Sequence, residues 1–540
     1  MLGCHRHITE GGRETMSRQI TRRTACKLIA GTLPALKLGA AQHESSPGIE
    51  VERGPFAGTR ASLGKYEIPE WFRNAKFGIW AHWGPQSAIE YGDWYARNMY
   101  IEGSPQNIYH CETYGHPSKF GYKDTLPQWK AEQFDPAYLI GLYRKAGAKY
   151  FMSMGVHHDN FDMWNSTYQS WNAANKGPKK DIVGMWAHAA RDAGLRFAVS
   201  EHLWITYKWF SVSHGHDVTG PYAGVPYDGA GPANASLYVD TDQIWKKEVE
   251  WDETGIPLWW RRHWYMRIKD LVDKYQPDLL YTDGPLPFEE YGLSLIAHLY
   301  NLSAKKNGGK TEAVYTSKRA EDAEEGISVL DVERGIVNDI WPRPWQTDTC
   351  IGQWHYKRGQ EYKTPKTIID MLVDIVSRNG NLMLNFPLPA RGTLDLEELN
   401  VLAEITKWMA VNGEAIYRSR PWKIFGESPA LDTIANPSAS SESKFNESKR
   451  KDLSAADVRF TTIGDTLYAF VMGWPDYQSV IRPLATNTGL RVGKIQNVEL
   501  LGFDGKLEWS QDNTGLKVMM PAQKPCDYAI VFKVTGAIAG

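Results

Sequence analysis

Residues 135–159 read DPAYLIGLYRKAGAKYFMSMGVHHD. Asp135 supplies an N-cap, Pro136 a rigid first helical position, and Leu139, Ile140, Leu142 and Tyr143 one apolar helical face that Gly147 ends. Lys149 to Val156 then reads as a strand, and His157-His158-Asp159 stands where it stops. The unit is a helix feeding a strand that delivers polar side chains to a loop, and it recurs. Asp181 caps a helix through Ala193, Gly194 stops it, and the strand Leu195 to Ser200 ends in Glu201-His202. A long helix near Trp259 to Tyr275 leads through Pro277 to the strand Asp278 to Thr282, which ends in Asp283-Gly284. Upstream, the strand Lys76 to Ala81 ends in His82-Trp83-Gly84. Looser copies follow: a helix from about Glu289, apolar runs near Ala313 and Ser328, a helix from Pro365 to Ser377 and a strand from Asn381 to Phe386. This rhythm predicts an α/β fold, and the number of units favours a closed (β/α)8-like TIM barrel over an open sheet.

Outward from the barrel the character changes. A Gly/Pro- and aromatic-rich stretch from Ser211 to about Ala235 interrupts the rhythm and reads as a loop overhanging the site. Beyond a helix containing Leu394 to Met409, short alternating runs such as Thr466 to Val471, Val498 to Leu501, Leu516 to Met520 and Tyr528 to Val534 predict a C-terminal antiparallel β-sandwich, with Trp422 and Trp474 as core or interface residues. At the N-terminus, Thr21-Arg22-Arg23, Lys27, the apolar run Leu28 to Leu38 and the small residues Gly39, Ala40 and Ala41 have the order of a cleaved twin-arginine export signal, with Met1 or Met16 as its start. The expected organisation is therefore an export signal over 1–41, a catalytic barrel over 42–412 and the sandwich over 413–540, in a periplasmic or secreted protein. The chain has 540 residues with 61 Lys and Arg against 63 Asp and Glu, a balance that offers no electrostatic reason to expect nucleic acid or a membrane as partner. Five cysteines without CxxC spacing indicate neither a zinc site nor a disulfide framework. Tryptophan and tyrosine are numerous, at 22 and 27, and flat amphipathic rings suit the apolar faces of sugars as well as a core.

Chemistry in a barrel of this kind sits at the C-terminal ends of the strands. There the chain places His82, His157-His158, Glu201-His202 and Asp283. One such residue is ordinarily an unremarked loop residue; four strand ends in succession point to a site. Adjacent histidines in extended chain diverge, and no carboxylate stands at zincin spacing, so neither metal nor cofactor is expected.

The wording of these segments resembles the family 29 α-L-fucosidases. Residues 76–85, KFGIWAHWGP, followed by Gly92-Asp93-Trp94-Tyr95, are similar to their KFGIFIHWG and GEWY blocks; His157-His158-Asp159-Asn160-Phe161 with Trp164 is similar to HHDGF. Tyr281-Thr282-Asp283-Gly284 resembles the strand that presents their nucleophile, Pro344-Trp345-Gln346-Thr347 their PWET segment and residues 376–385, VSRNGNLMLN, their VSKNGNLLLN. The resemblance spans about residues 65 to 425 and keeps the order of the blocks.

The resemblance implies a retaining exo-α-L-fucosidase acting on a fucosylated oligosaccharide or glycoconjugate. It assigns Asp283 as nucleophile, with His82, Asp93, Trp94, His157 and His158 around the sugar; Trp345, in the PWET-like segment, and His202, at a strand end where the family's wording does not carry over, are further candidates for the pocket. Retention requires a second carboxyl group roughly 5–5.5 Å from the nucleophile to act as acid and then base. Glu321, Glu324, Glu325 and Glu333 lie in the window where the family carries it. Glu333 is favoured, because Val329-Leu330-Asp331-Val332 reads as a strand delivering it to the barrel mouth, whereas the other three stand in a solvated acidic run. Lys318 and Arg334 are further candidates to reach the sugar. The chain departs from the family at Asp93 and Gln346, where glutamate is commoner, and at Glu201-His202. Two alternatives stay open: a retaining exo-glycosidase for a related sugar such as an α-L-galactoside, and a non-hydrolysing glycan-binding protein on the same fold.

Overall fold

A computed structural model describes residues 49–240, 247–428, 447, 450 and 452–538; the expected export segment lies outside them. Eight strands, β1 (Phe77–Ala81), β2 (Tyr150–Val156), β3 (Arg196–Glu201), β4 (Leu279–Thr282), β5 (Val314–Ser317), β6 (Val329–Glu333), β7 (Trp345–Cys350) and β8 (Gly380–Asn385), pair in chain order as a closed parallel barrel, with β8 returning to β1. Outer helices include α1 (Pro136–Lys145), α2 (Ile182–Asp192), α3 (Leu258–Tyr275), α4 (Glu290–Lys306), α5 (Pro365–Ser377) and α6 (Leu396–Ile416). The expected caps are in place: the Asp135 carboxylate accepts the Tyr138 N–H at 3.0 Å, and that of Asp181 accepts the Gly184 N–H at 3.0 Å. Such caps satisfy backbone donors that a helix start leaves free.

Strand side chains alternate between the two faces, so one parity on each strand fills the barrel. On β1 that parity holds Gly78, Trp80 and then His82. Gly78 has a steric reason: a Cβ there would lie 2.5 Å from the Tyr150 ring. The space admits Tyr150, whose hydroxyl donates to Gln346 Oε1 at 2.9 Å, and Gln346 Nε2 donates to Asp331 Oδ1 at 2.8 Å. Nearer the mouth the Tyr281 hydroxyl donates to Asp348 Oδ2 at 2.9 Å. The barrel interior thus carries a buried, hydrogen-bonded polar chain, as a polar interior must if it is not to cost stability. This explains a strand that hydrophobicity did not reveal. β7 reads WQTDTC, and its inward parity is Gln346 and Asp348, so it has no apolar run to find.

Among the described residues eight further strands follow: β9 (Arg420–Glu427), β10 (Val458–Ile463), β11 (Thr466–Val471), β12 (Gln478–Ile481), β13 (Asn497–Leu500), β14 (Trp509–Asp512), β15 (Gly515–Met519) and β16 (Ile530–Thr535). They form antiparallel sheets of order β13-β16-β11-β10-β9 and β12-β15-β14 around a core that includes Trp422, Phe460, Leu467, Ile481, Leu516 and Phe532. The sheets are tied to the barrel. Trp408 Nε1 on α6 donates to Ala529 O at 2.7 Å. Asp374 on α5 is buried against Arg459 Nε, with Arg378 and Arg450 each at 3.4 Å. Burial opposes the Asp374 charge, but the three guanidinium groups hold it well below the usual carboxylate range. Replacing one partner of a buried ion cluster strands the others. Asp374→Asn is therefore expected to remove about 3 kcal/mol of stability, read as a lower urea midpoint; an unchanged midpoint would show that this contact does not hold the two parts together.

Candidate active site

The rim formed by β1 to β6 collects the groups. Asp283, directly after β4, is fixed through its backbone: its N–H donates to Glu201 O at 3.0 Å and its carbonyl accepts Trp204 Nε1 at 2.7 Å. Gly284, at φ +140°, allows that indole close, since a Cβ there would lie 2.9 Å from it. The Asp283 carboxylate points at Lys318, the residue after β5, whose Nζ stands 2.5 Å from Oδ1. The same ammonium contacts Glu333 Oε2 at the end of β6 and lies 3.9 Å from Asp348 Oδ2.

Charge in this cluster is unevenly shared. Burial disfavours ionised Asp283, but Lys318 beside it, with His202 and His158, holds the carboxyl well below its ordinary range. Burial also works against the Lys318 charge, and Asp283 and Glu333 reverse that, raising it well above an ordinary lysine. For Glu333 burial dominates over Lys318, with the Asp283 charge adding to it, and the carboxyl is pushed up to about 7. Asp331, buried and facing Asp348, is held well above the carboxylate range and so carries a proton. One carboxyl at the mouth is kept ionised and its neighbour is poised near neutrality, the division of labour that separates a nucleophile from an acid.

The histidines form the facing wall. His82, His157 and His202 have ring centroids 4.8–5.4 Å apart. Burial, with neighbouring imidazoles, holds His82 and His157 well below the ordinary histidine range, and burial lowers His202, although Asp283 opposes it. Neutral rings have one donor and one acceptor nitrogen, and the partners decide which. Gln86 Oε1 accepts the Ala96 N–H at 3.3 Å, which turns its amide nitrogen toward His157 Nδ1 at 2.7 Å. That leaves the His157 proton on Nε2. His158 donates through Nδ1 to the His202 carbonyl at 2.7 Å and turns Nε2 toward Asp283 Oδ2 at 3.3 Å. His202 Nδ1 is 3.0 Å from the same oxygen but off the line a hydrogen bond requires. Among the described residues, His82 Nδ1, both nitrogens of His202 and His355 Nε2 are buried without a hydrogen-bond partner.

Asp93 reaches this wall through another residue: its Oδ1 accepts His355 Nδ1 at 2.6 Å. Trp94 adopts φ +56°, a left-handed conformation uncommon for a bulky side chain, and stands edge-on to His158 at 6.2 Å. Trp209, in the insertion after β3, lies 5.3 Å from His158. Trp80, Tyr281 and Trp354 form an aromatic floor, with Trp80 centroids 5.0 Å from Tyr281 and 5.5 Å from Trp354. Should a metal ion enter, converging donors are available: His82, Asp93, His157 and His355, or His157, His158 and His202, each set within 4.8 Å. His157 Nδ1 and Asp93 Oδ1 are already engaged by Gln86 and His355.

Of the residues expected from sequence, His82, Asp93, Trp94, His157, His158, His202, Asp283 and Glu333 come together. Trp345 does not. It begins β7 at the opposite end of the barrel, is fully buried, and donates through Nε1 to Arg378 O at 2.9 Å, so its role is packing. Arg334 turns away to the Glu447 carboxylate at 3.9 Å. Glu321, Glu324 and Glu325 are exposed, Glu325 pairing with Arg60. Gln86, Trp209, Trp354 and His355 were not anticipated; all lie in the connections between strands, Gln86 and Trp209 on single-turn helices there, too short for any periodicity to mark them. A neutron map is expected to show deuterium on Nε2 of His157 and Nδ1 of His158; deuterium on the opposite nitrogens would overturn this hydrogen-bond assignment.

Known proteins similar to this chain are fucosidases. A family model described as Alpha-L-fucosidase matches residues 46–414, and a second, Alpha-L-fucosidase C-terminal domain, matches residues 450–535. The tissue alpha-L-fucosidase of Bos taurus is 27% identical over 88% of this chain and 90% of its own length, and that of Homo sapiens 26% identical over 88% and 91%. Among solved structures, Thermotoga maritima alpha-fucosidase in complex with fucose has the same fold, with a TM-score of 0.65 and 23% identity over 89% of this chain and 100% of that one.

Proposed function

The chain belongs to the α-L-fucosidase family of glycoside hydrolases, and from that premise we propose that it releases terminal α-L-fucose from glycans with retention of configuration. Asp283 attacks the anomeric carbon as the glycosidic C–O bond breaks, and Glu333 gives its proton to the departing oxygen. Glu333, now a carboxylate, takes a proton from water; the water oxygen attacks the same carbon and Asp283 is released. The observation that carries this reading is that one buried ammonium, that of Lys318, touches both carboxyl groups, which leaves the contacted oxygens no more than about 5 Å apart, the spacing that double displacement uses.

The remaining groups fit a sugar. His82, His202 and His355 offer unpartnered buried nitrogens to hydroxyls, which would otherwise stay costly. The aromatic floor of Trp80, Tyr281 and Trp354 suits the methyl group that distinguishes fucose. One observation favours a second sugar: Trp80 Nε1 is itself buried without a partner among the described residues, and a hydroxyl on that methyl carbon would accept from it. α-L-Galactosides are therefore the comparison substrates.

Asp283→Ala is expected to lower hydrolysis of an aryl α-L-fucoside by about 10³-fold or more. Glu333→Ala is expected to lose roughly 10²–10⁴-fold on a natural glycan, and on the aryl fucoside to be rescued by azide as a fucosyl azide of retained configuration. An inverted product, or an unimpaired Glu333→Ala, would contradict the assignment. Because Glu333 must hold its proton to act as acid, hydrolysis of unactivated fucosides should fall as pH rises through about 7, while Asp283, held low, leaves activity intact into the acid range; a profile still rising above pH 8 would contradict this.

We further propose export by the twin-arginine route, supported by the order of Arg22-Arg23, the apolar run and the small residues after it. Arg22→Lys with Arg23→Lys should leave the enzyme in the cytoplasm of a bacterial host; unchanged export would refute the route.

A further inference from the structure

The wall of the site continues outward as exposed aromatic surface. Trp251, in the connection between β3 and β4, is 49% exposed. Its ring lies 5.8 Å from Trp94 at 33° and 5.7 Å from His158, whose Nε2 is 3.3 Å from the Asp283 carboxylate. Trp251 is therefore one side chain removed from the nucleophile, on the solvent side. A solitary exposed tryptophan carries no meaning by itself. This one is held in place. The neighbouring Asp252 carboxylate accepts Lys208 Nζ at 2.8 Å and the Thr254 N–H at 2.7 Å, Lys208 being buried, and the next residue, Glu253, accepts the Phe288 N–H. The chain on its C-terminal side is thus pinned both to the β3 loop and to the loop after β4. Trp94 behind it keeps a left-handed backbone at a cost that surrounding structure must offset. Two indoles within ring contact, one with half its surface open to solvent, make a flat amphipathic face beside the mouth.

We propose that Trp251, backed by Trp94, is the platform for the sugar that carries the fucose. The occupant is a pyranose such as a galactopyranoside, whose face of C–H bonds lies on the indole while its hydroxyls stay in water. In an exo-acting site the terminal fucose fills the enclosed end and the rest of the glycan emerges toward solvent, where this platform lies, so the ring it receives is the leaving group of the reaction. This inference rests on the fucosidase reading and adds to it the kind of aglycone taken.

The test compares α-L-fucosyl fluoride, whose leaving group has no ring, with a disaccharide of α-L-fucose on galactopyranose. For Trp251→Ala, kcat/KM on the disaccharide should fall about tenfold, chiefly through KM, with less than a twofold change on the fluoride; Trp251→Phe should recover most of the loss. In an Asp283→Ala background, which should bind without turnover, the disaccharide should change tryptophan fluorescence, and adding Trp251→Ala should weaken its Kd by about tenfold. Equal losses on both substrates, or no loss on the disaccharide, would overturn the platform. A parent inert on both substrates would overturn the fucosidase reading on which it rests.

Discussion

Nζ of Lys318 is the point on which the site's electrostatics turn. Asp283, Glu333 and Asp348 converge on it from β4, β6 and β7. Three carboxylates in so enclosed a space cannot all stay charged without a cation. Lys318 stabilises the charge on Asp283, while burial keeps a proton on Glu333 up to about pH 7. Beneath them, Asp331 retains its proton beside Asp348, and Tyr281 and Gln346 donate to Asp348 and Asp331. The barrel interior is thus part of the site: the same polar chain that replaces an apolar filling supports the residues above it.

The opposite wall works by neutrality. Clustered imidazoles in a buried space lose their charge, and neutral rings become oriented donors and acceptors for hydroxyl groups. Gln86 and the His202 carbonyl set the ring orientations of His157 and His158. The proposed reaction would use this fixed pattern of polar atoms, the aromatic floor and the charged Asp283 as a surface that stabilises a developing positive charge at the anomeric carbon with little rearrangement.

Much of this was legible in the chain because a parallel barrel turns sequence position into height. Caps such as Asp135 and Asp181, and apolar runs such as Lys149 to Val156, locate strand ends; His82, His157, His158, His202 and Asp283 follow from them, while Glu333 needed the family resemblance to narrow the window before the short strand Val329 to Val332 could single it out. Trp345 shows where the method fails. The family-like segment suggests the mouth, but Trp345 opens its strand at the barrel's far end and, on the parity opposite to Gln346, packs outward beside Ile375 and Gly380, and the polar inward parity of β7 conceals the strand that would have shown this. Lys318 is legible as a candidate beside the sugar, but it follows a strand of only four residues, Val314–Ser317, and nothing in Ser-Lys-Arg foretells that its ammonium joins Asp283 and Glu333. His355 depends on chain folding back from a loop to meet Asp93, more than two hundred residues away in sequence, which no local pattern records.

The central claim is that Asp283 forms a bond to the sugar while Lys318 and Glu333 attend it. The most direct measurement is trapping with 2-deoxy-2-fluoro-α-L-fucosyl fluoride, whose fluorine at C2 slows both steps while its fluoride leaving group keeps formation of the intermediate faster than its release, followed by peptide mass spectrometry. The account predicts one fluorofucosyl group on the peptide bearing Asp283, lost on reactivation with an acceptor. Attachment to another residue, or an untrapped enzyme that hydrolyses fucosides with inversion, would contradict it.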